Sequence, residues 1–161
     1  MAFREGGRGL LALRLRDARA TRALGRRLGA SARAGDILDL RGAMGSGKTT
    51  LAQGALGALV GRGVYRSPSF ALVHAYDGRV YHADLDRIAP EEWDEIGGDE
   101  VFAPGAIALL EHGERVALRL PADRLEVRLA RGGQARRRVA GILARGPRAR
   151  AWLRRALGGR R

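Results

Sequence analysis

The chain has 161 residues and a formal net charge of +13, from 30 Lys+Arg against 17 Asp+Glu. That length suits one domain with a sizeable core. The absence of cysteine excludes disulfides, thiol catalysis and thiolate zinc sites. Neither a secretory apolar segment nor a run of about 20 apolar residues occurs, so a cytoplasmic protein with no membrane role is expected.

The charge is unevenly placed. Asp84 to Glu114 holds ten acidic residues and one arginine, whereas Arg115 to the end holds fifteen arginines and two acidic residues. A basic end of this kind fits an RNA or acidic partner as well as it fits a solvated surface.

In chain order, Met1 to Gly9 is polar and glycine-rich and is expected to be flexible. Leu10 to Arg16 alternates Leu and Arg, as an amphipathic strand does. Asp17 to Thr21 turns into a helix with Leu24, Leu28 and Ala32 on one face, stopped by Gly35. Asp36 to Arg41 alternates again and reads as a short strand ending at Gly42. Gly42 to Thr49 then fits G-x-x-x-x-G-K-[ST] at every specified position. Thr50 to Val60 follows with Leu51, Ala55, Leu56 and Leu59 at the spacing of a helix face.

Strand, glycine loop and helix form the setting of a phosphate-binding loop. Around Gly45, Ser46 and Gly47, backbone N–H groups can converge on phosphate oxygens at a helix N-terminus. Lys48 would reach the terminal phosphates, and the Thr49 hydroxyl would ligate Mg²⁺, with Thr50 beside it. Lys48 is the only lysine in a chain that otherwise uses arginine. A slim ammonium fits between phosphates where a planar guanidinium does not. There is no asparagine, so the Asn-Lys-x-Asp signature of guanine readers is impossible and adenine is expected.

Further along, Phe70 to Tyr76 and Arg79 to Asp84 read as strands across an Asp77-Gly78 turn. Ala89 to Val101 reads as an acidic helix opened by Pro90-Glu91-Glu92. Ala106 to Leu110 is uninterruptedly apolar, as a strand buried on both faces is, and exits at Glu111. Leu125 to Ala130 and Arg137 to Leu143 pair across Gly132-Gly133. Arg148 to Leu157 is a basic amphipathic helix docking through Ala151, Trp152 and Ala156. The expected domain spans 10–145, with 146–161 a basic helix and tail.

A nucleotide-bound Mg²⁺ needs a carboxylate at the C-terminal edge of a strand beside the loop. Asp84 and Glu111 both qualify, and Asp84 also has a reading as a helix cap or a partner of Arg87. His74, His82 and His112 lack zinc-type spacing, but His82 should share the strand face of Asp84. Trp93 and Trp152 read as packing residues.

The motifs together resemble the TsaE family, the small ATPases of bacterial tRNA threonylcarbamoyladenosine synthesis. Gly42 to Thr50 is similar to its G-D-L-G-A-G-K-T-T loop, and Ser67-Pro68-Ser69-Phe70 to its S-P-T-F segment. His82 to Arg87 is similar to its H-x-D-L-Y-R, and Leu110-Glu111-His112 to its E-W step. Order and spacing agree from about Leu10 to Leu143.

The resemblance implies a P-loop NTPase-like three-layer α/β domain with a mainly parallel central sheet and a small antiparallel C-terminal addition. It implies ATP and Mg²⁺ as cofactors, Lys48 on phosphate, Thr49 and Glu111 on the metal, and Asp84 assisting metal binding or hydrolysis. Thr21 would lie near the adenine, and Arg138 or its neighbour Arg137 would contact nucleotide. It also implies slow hydrolysis in the service of TsaD and TsaB partners, with tRNA within reach of the arginine-rich C-terminal third. Ala43, Ser69, Asp86 and His112 depart from the family's Asp, Thr, Tyr and Trp. The rival readings are a small-molecule P-loop kinase, disfavoured by the arginine-free stretch 89–105, and a nucleotide-gated RNA-binding module.

Overall fold

A computed structural model describes residues 4–6, 10–61, 72–133 and 136–158. Its strands are β1 (Arg4–Gly6), β2 (Leu10–Leu15), β3 (Ile37–Arg41), β4 (Val73–Tyr76), β5 (Val80–Asp84), β6 (Ile107–Glu111), β7 (Arg124–Arg131) and β8 (Arg138–Arg145). Its helices are α1 (Ala18–Ser31), α2 (Lys48–Leu59) and α3 (Pro147–Leu157). Of the segment 1–9, read as flexible, only Arg4–Gly6 is described, as β1.

One sheet runs in the order β1-β2-β8-β7-β3-β6-β5-β4. Its centre is parallel: β5, β6, β3 and β7 run the same way. The antiparallel part is larger than the small C-terminal addition expected. It includes the β7–β8 hairpin, β2 and β1 on one side, and the β4–β5 hairpin on the other. The reason lies in the connections. Asp77-Gly78 makes a tight turn, and only six residues separate β7 from β8; both connections allow only antiparallel return, whereas parallel pairing needs a long crossover.

Beneath one sheet face, all three helices pack on Leu13, Leu38, Leu40, Leu125, Val127 and Ile142. Gly25 and Gly54 bring α1 and α2 together backbone to backbone: a Cβ on Gly25 would collide with the Leu51 carbonyl, and one on Gly54 with that of Arg22. This close seam fixes the start of α1 against the loop that precedes α2. The helix α3 is tied in by Trp152, whose indole N–H donates to the Leu28 carbonyl at 3.0 Å, and by Arg155 to Asp36 at 2.9 Å. Its buried face is Ala149, Trp152 and Ala156, with Ala151 only partly covered.

On the other sheet face, Ile37, Ala83, Ala108 and Leu110 are covered by Leu85, Ile88, Trp93, Val101 and Val116. The acidic stretch expected as one helix is instead two 3-10 turns, Pro90–Trp93 and Gly98–Phe102. Gly97 adopts φ +73°, and a Cβ on Gly98 would strike the Trp93 ring, so packing of the indole wins over helix continuation.

Candidate functional site

The strand β3 delivers the chain to the glycine loop at the C-terminal end of the parallel centre. Gly42, Gly45 and Gly47 take φ +137°, +72° and +109°, values open to glycine. At Gly42 a Cβ would also collide with the Leu129 carbonyl. With α2 beginning at Lys48, the unpaired N–H groups of its first turn face the loop's concavity. Lys48 is 5% exposed, and its ammonium donates to the carbonyls of Gly42 at 2.8 Å and Ala43 at 3.1 Å. Ser46 is buried beneath Gly42, with a hydroxyl that has no partner among the described residues.

A cleft of about 620 Å³ opens beside this loop. It is lined by Gly45, Gly47, Lys48, Thr49 and Thr50, by Asp17, Ala18, Arg19 and Thr21 at the head of α1, and by Arg136 and Arg138. Asp17 caps α1, accepting from the Ala20 N–H at 2.7 Å, and the Thr21 hydroxyl donates to the Asp17 carbonyl at 3.1 Å. Arg138 reaches over the loop and donates to the Gly45 carbonyl at 3.2 Å. A cleft combining helix-start N–H groups, one lysine and three arginines attracts a polyanion.

At the far edge of the loop stands Glu111, the last residue of β6 and 2% exposed. Its Oε2 accepts from the Thr49 hydroxyl at 2.8 Å, and its Oε1 lies 3.0 Å from His82 Nε2. With the proton on Nε2, His82 donates to the carboxylate and fixes its plane. Asp84 sits opposite Glu111 in the β5–β6 register, half-buried, with Oδ1 accepting from the Asp86 N–H at 3.2 Å. A hydroxyl and a carboxylate oxygen 2.8 Å apart are hard donors that suit Mg²⁺. Among the described residues no group of three or more His, Cys, Asp or Glu could hold a metal. The pair therefore suits an ion that arrives with phosphate and water as its other ligands.

A family profile, "Threonylcarbamoyl adenosine biosynthesis protein TsaE", matches residues 15–139. The chain belongs to the TsaE family. It is 32% identical over 122 residues to the tRNA threonylcarbamoyladenosine biosynthesis protein TsaE of Bacillus subtilis, covering 74% of this chain and 77% of that one. The Nostoc protein of the same name is 35% identical over 137 residues, covering 78% and 81%. The crystal structure of Bacillus subtilis YdiB superposes with a TM-score of 0.74 at 26% identity, over 94% of this chain and 93% of that one. The family role is biosynthesis of threonylcarbamoyladenosine in tRNA. No helix among the described residues is long and apolar enough to cross a membrane.

Within this TsaE chain, Thr21, Gly45, Gly47, Lys48, Thr49, Thr50 and Arg138 converge on the one cleft, while Ser46 packs underneath it. Glu111 joins through Thr49, and Asp84 stands one strand away. Ser67 to Phe70 lies outside the described residues. Asp86 and His112, two of the four departures from the family pattern, lie near each other, with His112 Nδ1 at 3.7 Å from Asp86 Oδ1.

Sequence reasoning missed Asp17, Arg19 and Arg136 as lining residues. Arg136 lies in the turn before β8, where strand alternation gives no signal for it. His82 lies two residues from Asp84 on β5, as expected, and its hydrogen bond goes across the strands to Glu111.

Proposed function

We propose that this chain binds Mg-ATP and hydrolyses it slowly, and that the hydrolysis serves TsaD and TsaB partners in threonylcarbamoylation of tRNA. The observation that carries the reading is the Thr49–Glu111 contact at 2.8 Å, at the mouth of the loop whose lysine is held by the Gly42 and Ala43 carbonyls. Lys48 exchanges those carbonyls for phosphate oxygens. Thr49 and Glu111 would hold Mg²⁺, which supplies neutralisation of phosphate charge when bound. His82 keeps Glu111 turned toward Thr49. Asp84, with solvent access beside Glu111, accepts a hydrogen bond from the attacking water. Arg138 and Arg136 lie where charge on the transferred phosphoryl group can be met in cis. Thr21 and the start of α1 flank the adenosine. The Asp86–His112 edge is the docking face for the partner proteins.

The test is phosphate release and thermal stability with each nucleotide. Mg-ATP at a hundredfold excess over its dissociation constant should add about 2.7 kcal/mol, and GTP much less. Lys48→Ala should lose about a hundred- to a thousandfold in hydrolysis while staying folded. Equal stabilisation by both nucleotides would sink the adenine assignment. Fast turnover indifferent to TsaD and TsaB would return a kinase to first place.

A further inference from the structure

The sheet face opposite the helices is covered by the 3-10 turns only over β5, β6 and β3. Across β2, β8 and β7 it exposes Arg14, Arg128, Ala130 and Val139, while Glu126 is buried among its arginines. Arg14 is exposed between the buried Leu13 and Leu15, and Arg128 between the buried Val127 and Leu129. In register these strands place Ala12 opposite Gly141 opposite Arg128, and Arg14 opposite Val139 opposite Ala130. Ala12, Gly141 and Ala130 thus form a low strip beside Val139, with Leu10 and Leu143 in the adjoining row and Arg14 and Arg128 at its corners. A Cβ on Gly141 would meet nothing nearer than Leu10 Cδ1 at 3.6 Å, so glycine leaves the strip low there without being forced by packing.

Guanidiniums outnumber carboxylates on this face. Arg41, Arg124, Arg128 and Arg145 surround the buried Asp39 and Glu126. Arg14 and Arg137 form no ion pair with any described residue. The strands β2 and β7 are two sheet spacings apart, about 10 Å, so Arg14 and Arg128 bracket a trough that seats a single backbone.

We propose that this β2–β8–β7 face binds the phosphate backbone of RNA. Charge complementarity selects a polyanion, and the low strip of Ala12, Gly141 and Ala130 lets its phosphates approach the arginine corners. No aromatic side chain lies on the face among the described residues, so bases are not stacked and the grip is sequence-tolerant. The same lack argues against a protein partner, which needs aromatic or large apolar anchors. Leu10 and Val139, the exposed apolar residues here, lie at opposite ends of the strands. Arg136 and Arg138 line the nucleotide cleft, whereas Arg14 and Arg137 line a separate hollow that Arg138 also borders. RNA and nucleotide thus take different residues on the two sides of Arg138. That the RNA is tRNA rests on the proposed function.

The experiment is fluorescence anisotropy of a labelled, unmodified tRNA transcript and of a uridine homopolymer of equal length, titrated with the full chain across a salt series. Arg14→Ala and Arg137→Ala should each lower the slope of log affinity against log salt by about 0.7–0.9. At 0.1 M salt that corresponds to a loss of roughly five- to eightfold for either RNA. Arg150→Ala and Arg154→Ala, on the exposed side of α3, should change neither. Losses that track Arg150 and Arg154 would overturn the proposal. So would failure of both RNAs to bind, including the case where Arg14→Ala and Arg137→Ala instead release an acidic protein. Stabilisation by Mg-ATP and phosphate release should be unaltered in Arg14→Ala. Their absence from the unaltered chain would count against the ATPase reading alone, leaving the RNA face to stand on its own titration.

Discussion

Glu111 and Glu126 lie on strands of one sheet, 2% and 0% exposed, and their surroundings are opposite in kind. Glu126 is closed in by guanidiniums: Arg128 at 2.6 Å and Arg145 at 2.8 Å, with Arg41 and Arg124 both at 3.9 Å. Asp39 beside it accepts from Arg41 and Arg124. Glu111 touches a hydroxyl and an imidazole, and no arginine or lysine of the described residues lies within ion-pair distance. A buried carboxylate is costly unless compensated. Around Glu126 the compensation is complete inside the protein. Around Glu111, on the proposed function, it is left to the ion that enters at Thr49. Burial alone therefore does not mark a functional carboxylate; the charge of its partners does.

The largest expected effect is on stability. Glu126→Ala leaves several arginines facing each other over a buried gap and should cost about 3–5 kcal/mol, with Mg-ATP affinity little changed. Its acid limb follows from its environment. Burial pushes the Glu126 carboxyl up, but the hydrogen bonds from Arg145 and Arg128 and the charges of Arg41 and Arg145 outweigh that and hold it below its ordinary value of 4.5. A lowered folded pKa means its contribution is complete above 4.5 and is lost as pH falls through the folded value. Asp36 runs the other way, because burial dominates over Arg33 and Arg155 and raises it, so its protonation on acidification favours the fold. Denaturant unfolding from neutral pH down to about pH 3 should show a shallower acid limb in Glu126→Ala than in the unaltered chain. A variant as stable as the parent would break the comparison from the structural side.

Next in size is the functional side. Glu111→Gln keeps the shape and removes the charge, so stability should change by under about 1 kcal/mol. The gain in nucleotide affinity brought by Mg²⁺ should fall by about a hundredfold. His82→Ala, which frees the carboxylate to turn, should lower the same gain about tenfold. Calorimetric titration of ATP with and without Mg²⁺ reads both. If Glu111→Gln unfolds the chain as Glu126→Ala does, Glu111 is a structural residue after all.

The two regions were unequally legible in the sequence. The glycine loop lies within eight consecutive residues, so its glycines, lysine and threonine carry their geometry with them. Glu111 was legible for a related reason, since an apolar run can only be a buried strand and a carboxylate at its exit must face the sheet edge. The Asp39–Glu126 network was not. Asp39 and Arg124 are 85 positions apart, and each reads in its own segment as the polar half of an ordinary alternating strand. The pattern Asp36 to Arg41 suggested one wetted face, but Gly113 packs against Asp39 and β7 closes over it. The partner of His82 was not legible for the same reason, because it is fixed by which strand lies next to β5. The acidic stretch misled in another way: a good helix start says nothing of the indole that Gly97 and Gly98 accommodate.

The smallest expected effect belongs to Asp84, and it is the sharpest test of the comparison. Asp84 stands opposite Glu111 in register, yet it is half-buried and occupied with its own turn through the Asp86 N–H. It lacks both the guanidinium cage of Glu126 and the hydroxyl–imidazole grip of Glu111. A carboxylate so placed keeps contact with water and can orient one without being a fixed ligand. Asp84→Asn should therefore leave stability within about 0.5 kcal/mol. It should alter the Mg²⁺-dependent gain in ATP affinity by less than about threefold and slow turnover about tenfold, a modest share of what a positioned base can supply. Steady-state phosphate release beside the same calorimetric titration separates the two quantities. If the metal effect appears in Asp84→Asn and is missing from Glu111→Gln, the two carboxylates exchange roles, and the exposed one, not the buried one, holds the ion.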